Sequence, residues 1–187
     1  MHIVSLQKYV YNYIMKREEK LIVYAFIDSQ NLYMSVTRDI RKNHTLIYEG
    51  WTLDYHKFRR YLADKFHVKK AFLFIGYIPQ NKDLYHMLVS SGYELIFKQT
   101  VKDPSGKAKG NVDAEIVLYA SAILFQSYDK AVIVSGDGDF RCLLEFLKNR
   151  NKLGALIIPN NKSESRLLVP FQKFKVFLSR ERKRLEG

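Results

Sequence analysis

The stretch LIVYAFID (residues 21–28) decides the fold prediction, because seven apolar residues lead without interruption into one aspartate. A continuous run of β-branched and aromatic residues is typical of a parallel strand that is buried on both faces. The same pattern recurs in KAFLFIGYI (70–78), YELIFKQT (93–100), KAVIVSG (130–136) and KLGALIIPN (152–160). We therefore predict about five buried strands.

Helical patterns fill the intervals between these strands. Apolar spacing and turn signals predict helices at residues 30–42, 54–67, 83–92, 112–127 and 139–150. In the fourth of these, one stripe is expected to face the core: Val112, Ile116, Ala120, Ile123 and Leu124. Alternating strands and helices predict right-handed crossovers and a doubly wound, mostly parallel α/β sheet.

The 187 residues contain no Gly/Ser/Pro-rich linker, which favours one compact domain. We expect residues 1–20 to form an N-terminal helical extension and residues 21–160 to form the domain itself. Residues 161–187 are predicted to be a basic C-terminal tail that packs partly on the domain. Within this tail we expect RERKR (180–184) to be disordered.

The chain has 31 Lys and Arg against 19 Asp and Glu, a formal net charge of +12. This balance favours a polyanionic partner, which can be nucleic acid, an anionic membrane surface or an acidic protein. The single cysteine, Cys142, excludes an intrachain disulfide framework and a Cys-based zinc cluster. No apolar run reaches the ~18 residues that span a bilayer, and no signal peptide is recognisable, so we expect a cytoplasmic protein.

Carboxylates follow the predicted strands at the edge where doubly wound sheets bind their ligands. Asp28 ends the first strand, Asp137 and Asp139 follow the fourth, and Asp113 lies in the first turn of a helix. Taken singly, Asp113 and Asp139 are better explained as helix caps than as ligands. Asp28 is different, because a carboxylate at the rim of a buried strand is costly unless something pairs with it.

Several carboxylates at one sheet edge repel one another unless a cation lies between them. Oxygen ligands suit Mg²⁺ or Mn²⁺, and such an ion can activate water for attack on a phosphate diester. Asn31 lies three residues after Asp28. It either orients a metal-bound water or a carboxylate, or it caps the helix.

Three motifs occur in a fixed order: YAFIDSQNL (24–32), KGNVDAE (109–115) and VSGDGDF (134–140). Together they resemble the NYN domains, a branch of the PIN-like nuclease superfamily, over about residues 21–160. The resemblance implies a three-layer α/β/α PIN-like (Rossmann-like) fold with a central, mostly parallel sheet. It also implies a Mg²⁺- or Mn²⁺-dependent ribonuclease, for which we expect endonucleolytic cleavage.

By motif position, the resemblance implies four acidic metal ligands and one polar companion, which together form the catalytic set: Asp28, Asp113, Asp137, Asp139 and Asn31. Ser29 stands where many relatives have glycine. Because serine is small, we expect the metal site to be retained and the approach of substrate to this backbone to differ.

The expected partner is single-stranded or structured RNA, with no membrane, and a homodimer is left open. Phosphate contacts are predicted for five cations in or beside the motif segments: Lys98, Lys102, Lys107, Lys109 and Arg141. Tyr33, Tyr48 and Trp51 are candidates for stacking on unpaired bases.

The alternative is a non-catalytic RNA- or DNA-binding regulatory module on the same fold. Three other classes are disfavoured. A nucleotide-binding Rossmann enzyme needs a Gly-rich turn after the first strand, where Ser29, Gln30 and Asn31 stand. An aspartyl phosphatase needs a second aspartate at position 30, and an EF-hand needs ligand spacing that is missing here.

Overall fold

The computed structural model describes residues 21–98, 101–102, 108–109 and 112–187. The predicted N-terminal extension, residues 1–20, lies outside the described residues. The described strands are, in chain order, β1 (Val23–Asp28), β2 (Ile40–Lys42), β3 (Thr45–Tyr48), β4 (Val68–Gly76), β5 (Glu94–Lys98), β6 (Val101–Lys102), β7 (Ala108–Lys109), β8 (Lys130–Val134), β9 (Leu153–Ile158) and β10 (Lys175–Phe177).

The α-helices are α1 (Ser29–Thr37), α2 (Tyr55–Phe66), α3 (Lys82–Ser90), α4 (Asp113–Leu118), α5 (Arg141–Asn149) and α6 (Arg182–Leu185). Short 3₁₀ helices cover Pro79–Asn81, Gly138–Phe140, Arg166–Phe174 and Leu178–Glu181, and a π-helical turn covers Tyr119–Ile123. Among the described residues, no helix is long and apolar enough to cross a membrane.

Six strands form one parallel sheet in the order β10-β9-β8-β1-β4-β5. Side chains alternate between its faces, so Ala25 and Ile27 of β1 enter one core and Phe26 enters the other. Helices α1, α2 and α3 cover the first core, and α4, α5 and the 166–174 helix cover the second. The three-layer α/β/α prediction is confirmed, with a sixth strand beyond the five expected.

The strand order places a topological switch point between β1 and β8. The chain runs from β1 to β4 and β5 on one side, then crosses to β8, β9 and β10 on the other. Ile27 pairs with Val134, so Asp28 lies level with Ser135, the first residue after β8. Ligands of such sheets bind beyond the carboxyl strand ends at this point, where these two residues lie.

The predicted helix over 30–42 was wrong beyond Thr37, because a β2–β3 hairpin follows α1. Asn43 and His44 form its two-residue turn, with φ of 48° and 62°. Positive φ at both positions is what a type I′ turn requires, and asparagine tolerates it well. The signal for the hairpin was therefore local, but the apolar spacing of the segment favoured a helix.

The predicted helix over 112–127 was correct at its start and wrong in its later register. Val112, Ile116 and Ala120 are buried as expected, but Ile123 is 54% exposed. The π-helical turn after α4 inserts an extra residue, which rotates the following side chains away from the predicted stripe.

The expectation of disorder at RERKR (180–184) was also wrong. Residues 182–185 form α6, and both Leu178 and Leu185 are fully buried. Leu53 pairs with Glu186 in an isolated antiparallel bridge. The basic run is ordered because the apolar residues that flank it anchor it against the core.

Candidate functional site

Asp28 lies at the end of β1 and caps the N-terminus of α1. Its side chain accepts hydrogen bonds from the backbone N–H of Asn31 at 3.0 Å and from the Ser135 hydroxyl at 3.4 Å. The residue is only 5% exposed. Burial, together with the nearby carboxylates of Asp113 and Asp137, raises the pKa of Asp28 to about 6.

The loop that follows β8 presents two further carboxylates. The backbone N–H of Asp137 donates to Ser135 Oγ at 3.1 Å, and that of Asp139 donates to Asp137 Oδ1 at 3.0 Å. Asn31 joins this loop to α1, because its Oδ1 accepts the backbone N–H of Gly136 at 2.8 Å. The side chain of Asn31 therefore positions the acidic loop.

Three carboxylates from two separate segments converge near Asp28, which is not itself a member of the group. Asp113, Asp137 and Asp139 each offer an oxygen atom, and these atoms lie within 4.8 Å of one another. Asp113 and Asp137 are half-buried, and Asp139 is exposed. We call these three residues together with Asp28 the acidic pocket.

The donors of the acidic pocket fit a hard divalent cation, because they are all carboxylate oxygens. Burial, with a smaller contribution from the neighbouring carboxylates of Asp113 and Asp137, raises the pKa of Asp28 and makes its charged form unfavourable. A bound cation would stabilise that charged form.

Two serines that sequence reasoning missed support the acidic loop. Ser135 is 1% exposed and contacts both Asp28 and the Asp137 backbone. The N–H of Ser165 donates to the Gly136 carbonyl at 3.0 Å, and a Cβ placed on Gly138 would overlap Ser165 Oγ. Glycine at 138 was the available signal, since it indicates close approach by another segment, but it could not identify that segment.

The predicted phosphate-binding cations divide into two groups. Lys98 ends β5, with its ammonium 2.8 Å from Glu115, and Arg141 begins α5, paired with Glu145 at 2.9 Å. Both therefore already have carboxylate partners. The backbones of Lys102 and Lys109 lie in the antiparallel β6–β7 hairpin. Their side chains, and the whole of Lys107, lie outside the described residues.

The three aromatic candidates for base stacking occupy different environments. Trp51 is 5% exposed in the core, so its predicted role was wrong. Tyr48 is half-buried and donates its hydroxyl to the Val36 carbonyl at 3.1 Å. Tyr33 is 60% exposed and stays a candidate.

The parallel three-layer fold, with an acidic pocket at its switch point, is that of the PIN-like nuclease superfamily. Within this class, the family model of the NYN domain matches residues 23–174, and the chain belongs to the NYN domain family. The match extends beyond residue 160 and therefore includes the segment that carries Ser165.

One solved structure supports the fold directly. The crystal structure of a protein of unknown function, VPA0982 from Vibrio parahaemolyticus, is similar with a TM-score of 0.64 and 25% sequence identity. The similarity covers 86% of this chain and 94% of that one. No curated protein sequence matches this chain significantly.

Proposed function

We propose that this protein is a Mg²⁺- or Mn²⁺-dependent ribonuclease that cleaves RNA endonucleolytically in the cytoplasm. The observation that carries the proposal is the convergence of Asp113, Asp137 and Asp139 within 4.8 Å of one another, near the buried Asp28. Carboxylates this close together disfavour one another's charged forms, and burial raises the pKa of Asp28 beside them. A divalent cation would offset both effects.

In this proposal Asp28, Asp113, Asp137 and Asp139 hold the cation, which would activate water and stabilise negative charge on the phosphodiester. The chain's own contribution is to fix these carboxylates in place before substrate binds. Asn31 and Ser135 do so through hydrogen bonds to the Gly136 and Asp137 backbone N–H groups. Groups that are already in place need no reorganisation during the reaction. This preorganisation is the main source of rate enhancement at such sites.

The charge distribution favours a nucleic acid as substrate. Without the four aspartates of the acidic pocket, the chain has 31 Lys and Arg residues and 15 Asp and Glu residues. The proposed phosphate contacts are Lys98, Lys102, Lys107, Lys109 and Arg141. For Lys98 and Arg141, RNA phosphates would compete with the carboxylates of Glu115 and Glu145.

The test is cleavage of an internally labelled RNA with Mn²⁺, with Mg²⁺ and with EDTA. Asp137→Asn is expected to lower kcat/KM by at least about 100-fold, a typical loss for one pre-set charged group at a reacting centre. The matched control is Asp64→Asn, because Asp64 lies on the surface and pairs with Arg184 at 3.4 Å.

The outcomes distinguish the ribonuclease from the alternative function. Internal products that need a divalent ion and Asp137 support the proposal. Cleavage that persists in EDTA contradicts the role of the metal. Tight RNA binding without cleavage in any metal supports the non-catalytic regulatory module instead.

A further inference from the structure

An aromatic cluster lies at the carboxyl ends of β4 and β5, outside the acidic pocket. The rings of Tyr77, Tyr85 and Phe97 contact one another, with centroids between 4.9 and 5.9 Å apart. Tyr85 is buried, but Tyr77 is 42% and Phe97 is 45% exposed. Tyr77 and Phe97 are thus partly exposed beside a buried aromatic ring, with their own ring planes 88° apart, and we call these two rings the ring platform.

The ring platform is held rigidly. The hydroxyl of Tyr85 accepts the backbone N–H of Ile78 at 2.8 Å and lies 3.1 Å from the Ile78 carbonyl. The backbone N–H of Tyr77 donates to the Lys98 carbonyl at 2.9 Å, which joins the ends of the two strands. A pre-ordered surface loses little conformational entropy when a ligand binds.

The ring platform and the acidic pocket share one edge of the sheet. Strand β4 is the immediate neighbour of β1, which carries Asp28, and β5 is the next strand. At the usual strand spacing the end of β5 lies roughly 10 Å from that of β1 along this edge. Lys98 bridges the interval, since its backbone bonds Tyr77 and its ammonium pairs with Glu115 of α4, the helix that begins at Asp113.

We propose that Tyr77 and Phe97 form a subsite for an unpaired nucleobase of an RNA strand that also reaches the acidic pocket, with one ring stacked on the face of the base and the other packed against its edge. Aromatic rings stack on any base, because every base has a π face. Cations begin and end the adjoining elements: the exposed Lys82 begins α3, and Lys98 ends β5. Both suit the phosphates beside such a base, which at Lys98 would compete with Glu115. The choice of RNA as ligand rests on the proposed function.

The experiment measures binding of labelled oligoadenylate RNA in EDTA, in an Asp137→Asn background, so that no strand is cut. Phe97→Leu and Tyr77→Leu keep an apolar side chain and remove the ring. Each is expected to weaken binding about 10-fold, the usual effect of removing one stacking aromatic. An oligomer of abasic residues should bind the parent and the leucine variants equally weakly.

Two control variants separate stacking from general damage. Phe97→Tyr keeps the ring and should keep the affinity. Val89→Ala removes an exposed aliphatic side chain from α3, the helix that carries Tyr85, and should leave RNA affinity unchanged. Thermal unfolding of each variant checks that the fold is retained.

The proposal is overturned if the doubly substituted Tyr77→Leu/Phe97→Leu protein folds normally and binds RNA as tightly as its parent. It is also overturned if sedimentation shows that these rings mediate self-association while RNA affinity does not depend on them. If the unsubstituted protein binds RNA through these rings but does not cleave it, the subsite is supported and the ribonuclease activity is rejected. If the protein cleaves RNA but binds it independently of these rings, the ribonuclease activity is supported and the subsite is rejected.

Discussion

Asp28 and Asp54 cap the first turns of α1 and α2 in the same way. Each accepts a hydrogen bond from the backbone N–H three residues later, at 3.0 and 2.9 Å. Their surroundings differ. The backbone N–H of Lys57 lowers the pKa of Asp54, and the Lys57 ammonium, 3.7 Å from the carboxylate, adds to this. Burial and two neighbouring carboxylates instead raise the pKa of Asp28 to about 6.

The comparison separates a helix cap from a candidate metal ligand. Capping accounts fully for Asp54, which lies near the surface beside a lysine. It does not account for Asp28, because a buried carboxylate beside Asp113 and Asp137 opposes folding at neutral pH. What distinguishes the two aspartates is the set of groups that the tertiary structure brings to each.

The largest expected effect is on RNA cleavage. Asp28→Asn should lower kcat/KM by about 100-fold or more, because it removes charge from the group that would hold the cation. Asp54→Asn should leave kcat/KM within about 2-fold, because asparagine caps helices as well as aspartate does. Steady-state kinetics with Mn²⁺ measures both, and equal losses in the two variants would refute the distinction.

A second test alters the packing behind the acidic loop. Gly138→Ala should destabilise the protein by about 1–3 kcal/mol, because the new Cβ would overlap Ser165 Oγ and approach Leu167. Gly136→Ala is the matched control, since its nearest neighbour, Asn31 Oδ1, would lie 3.6 Å from the new Cβ. Urea unfolding gives both values. Equal stability of the two variants would show that Ser165 is not tightly packed against the loop at Gly138.

The two caps should also differ in stability when the metal is removed. In EDTA at pH 7, Asp28→Asn is expected to stabilise the fold by about 2 kcal/mol, because the neutral amide avoids the electrostatic penalty of the carboxylate. Asp54→Asn should lower stability slightly, because Asp54 gains from its charge. A less stable Asp28→Asn protein in chemical denaturation would contradict this account.

The last prediction is that this stability difference depends on pH. The folded state holds the Asp28 proton more tightly than the unfolded chain does, because an unperturbed aspartate has a pKa of 3.8. The unfolding free energy of the metal-free parent should therefore contain a contribution that falls as pH rises from about 4 to about 6 and is level above that. The advantage of Asp28→Asn in urea unfolding should shrink towards zero near pH 4, and an advantage independent of pH would exclude titration of Asp28 as its source.

Much of this architecture follows from local patterns. The buried runs predicted the parallel sheet, and the residues after them predicted which carboxylates would meet at its edge. The β2–β3 hairpin and the π-helical turn escaped prediction because each depends on one or two residues against a longer apolar pattern. The roles of Ser135 and Ser165 escaped because partners distant in sequence define them.

The sequence by itself determined the layered parallel fold, the positions of Asp28, Asp113, Asp137 and Asp139 at strand and helix ends, and the net charge of +12. Apolar runs and turn residues act locally, so a single chain displays them. Only the tertiary structure decided that Asp28 differs from Asp54, that residues 178–185 are anchored, and that Tyr77 and Phe97 are exposed together. Burial, electrostatic coupling and shared surfaces arise between segments that are far apart in the chain, and folding alone brings them into contact.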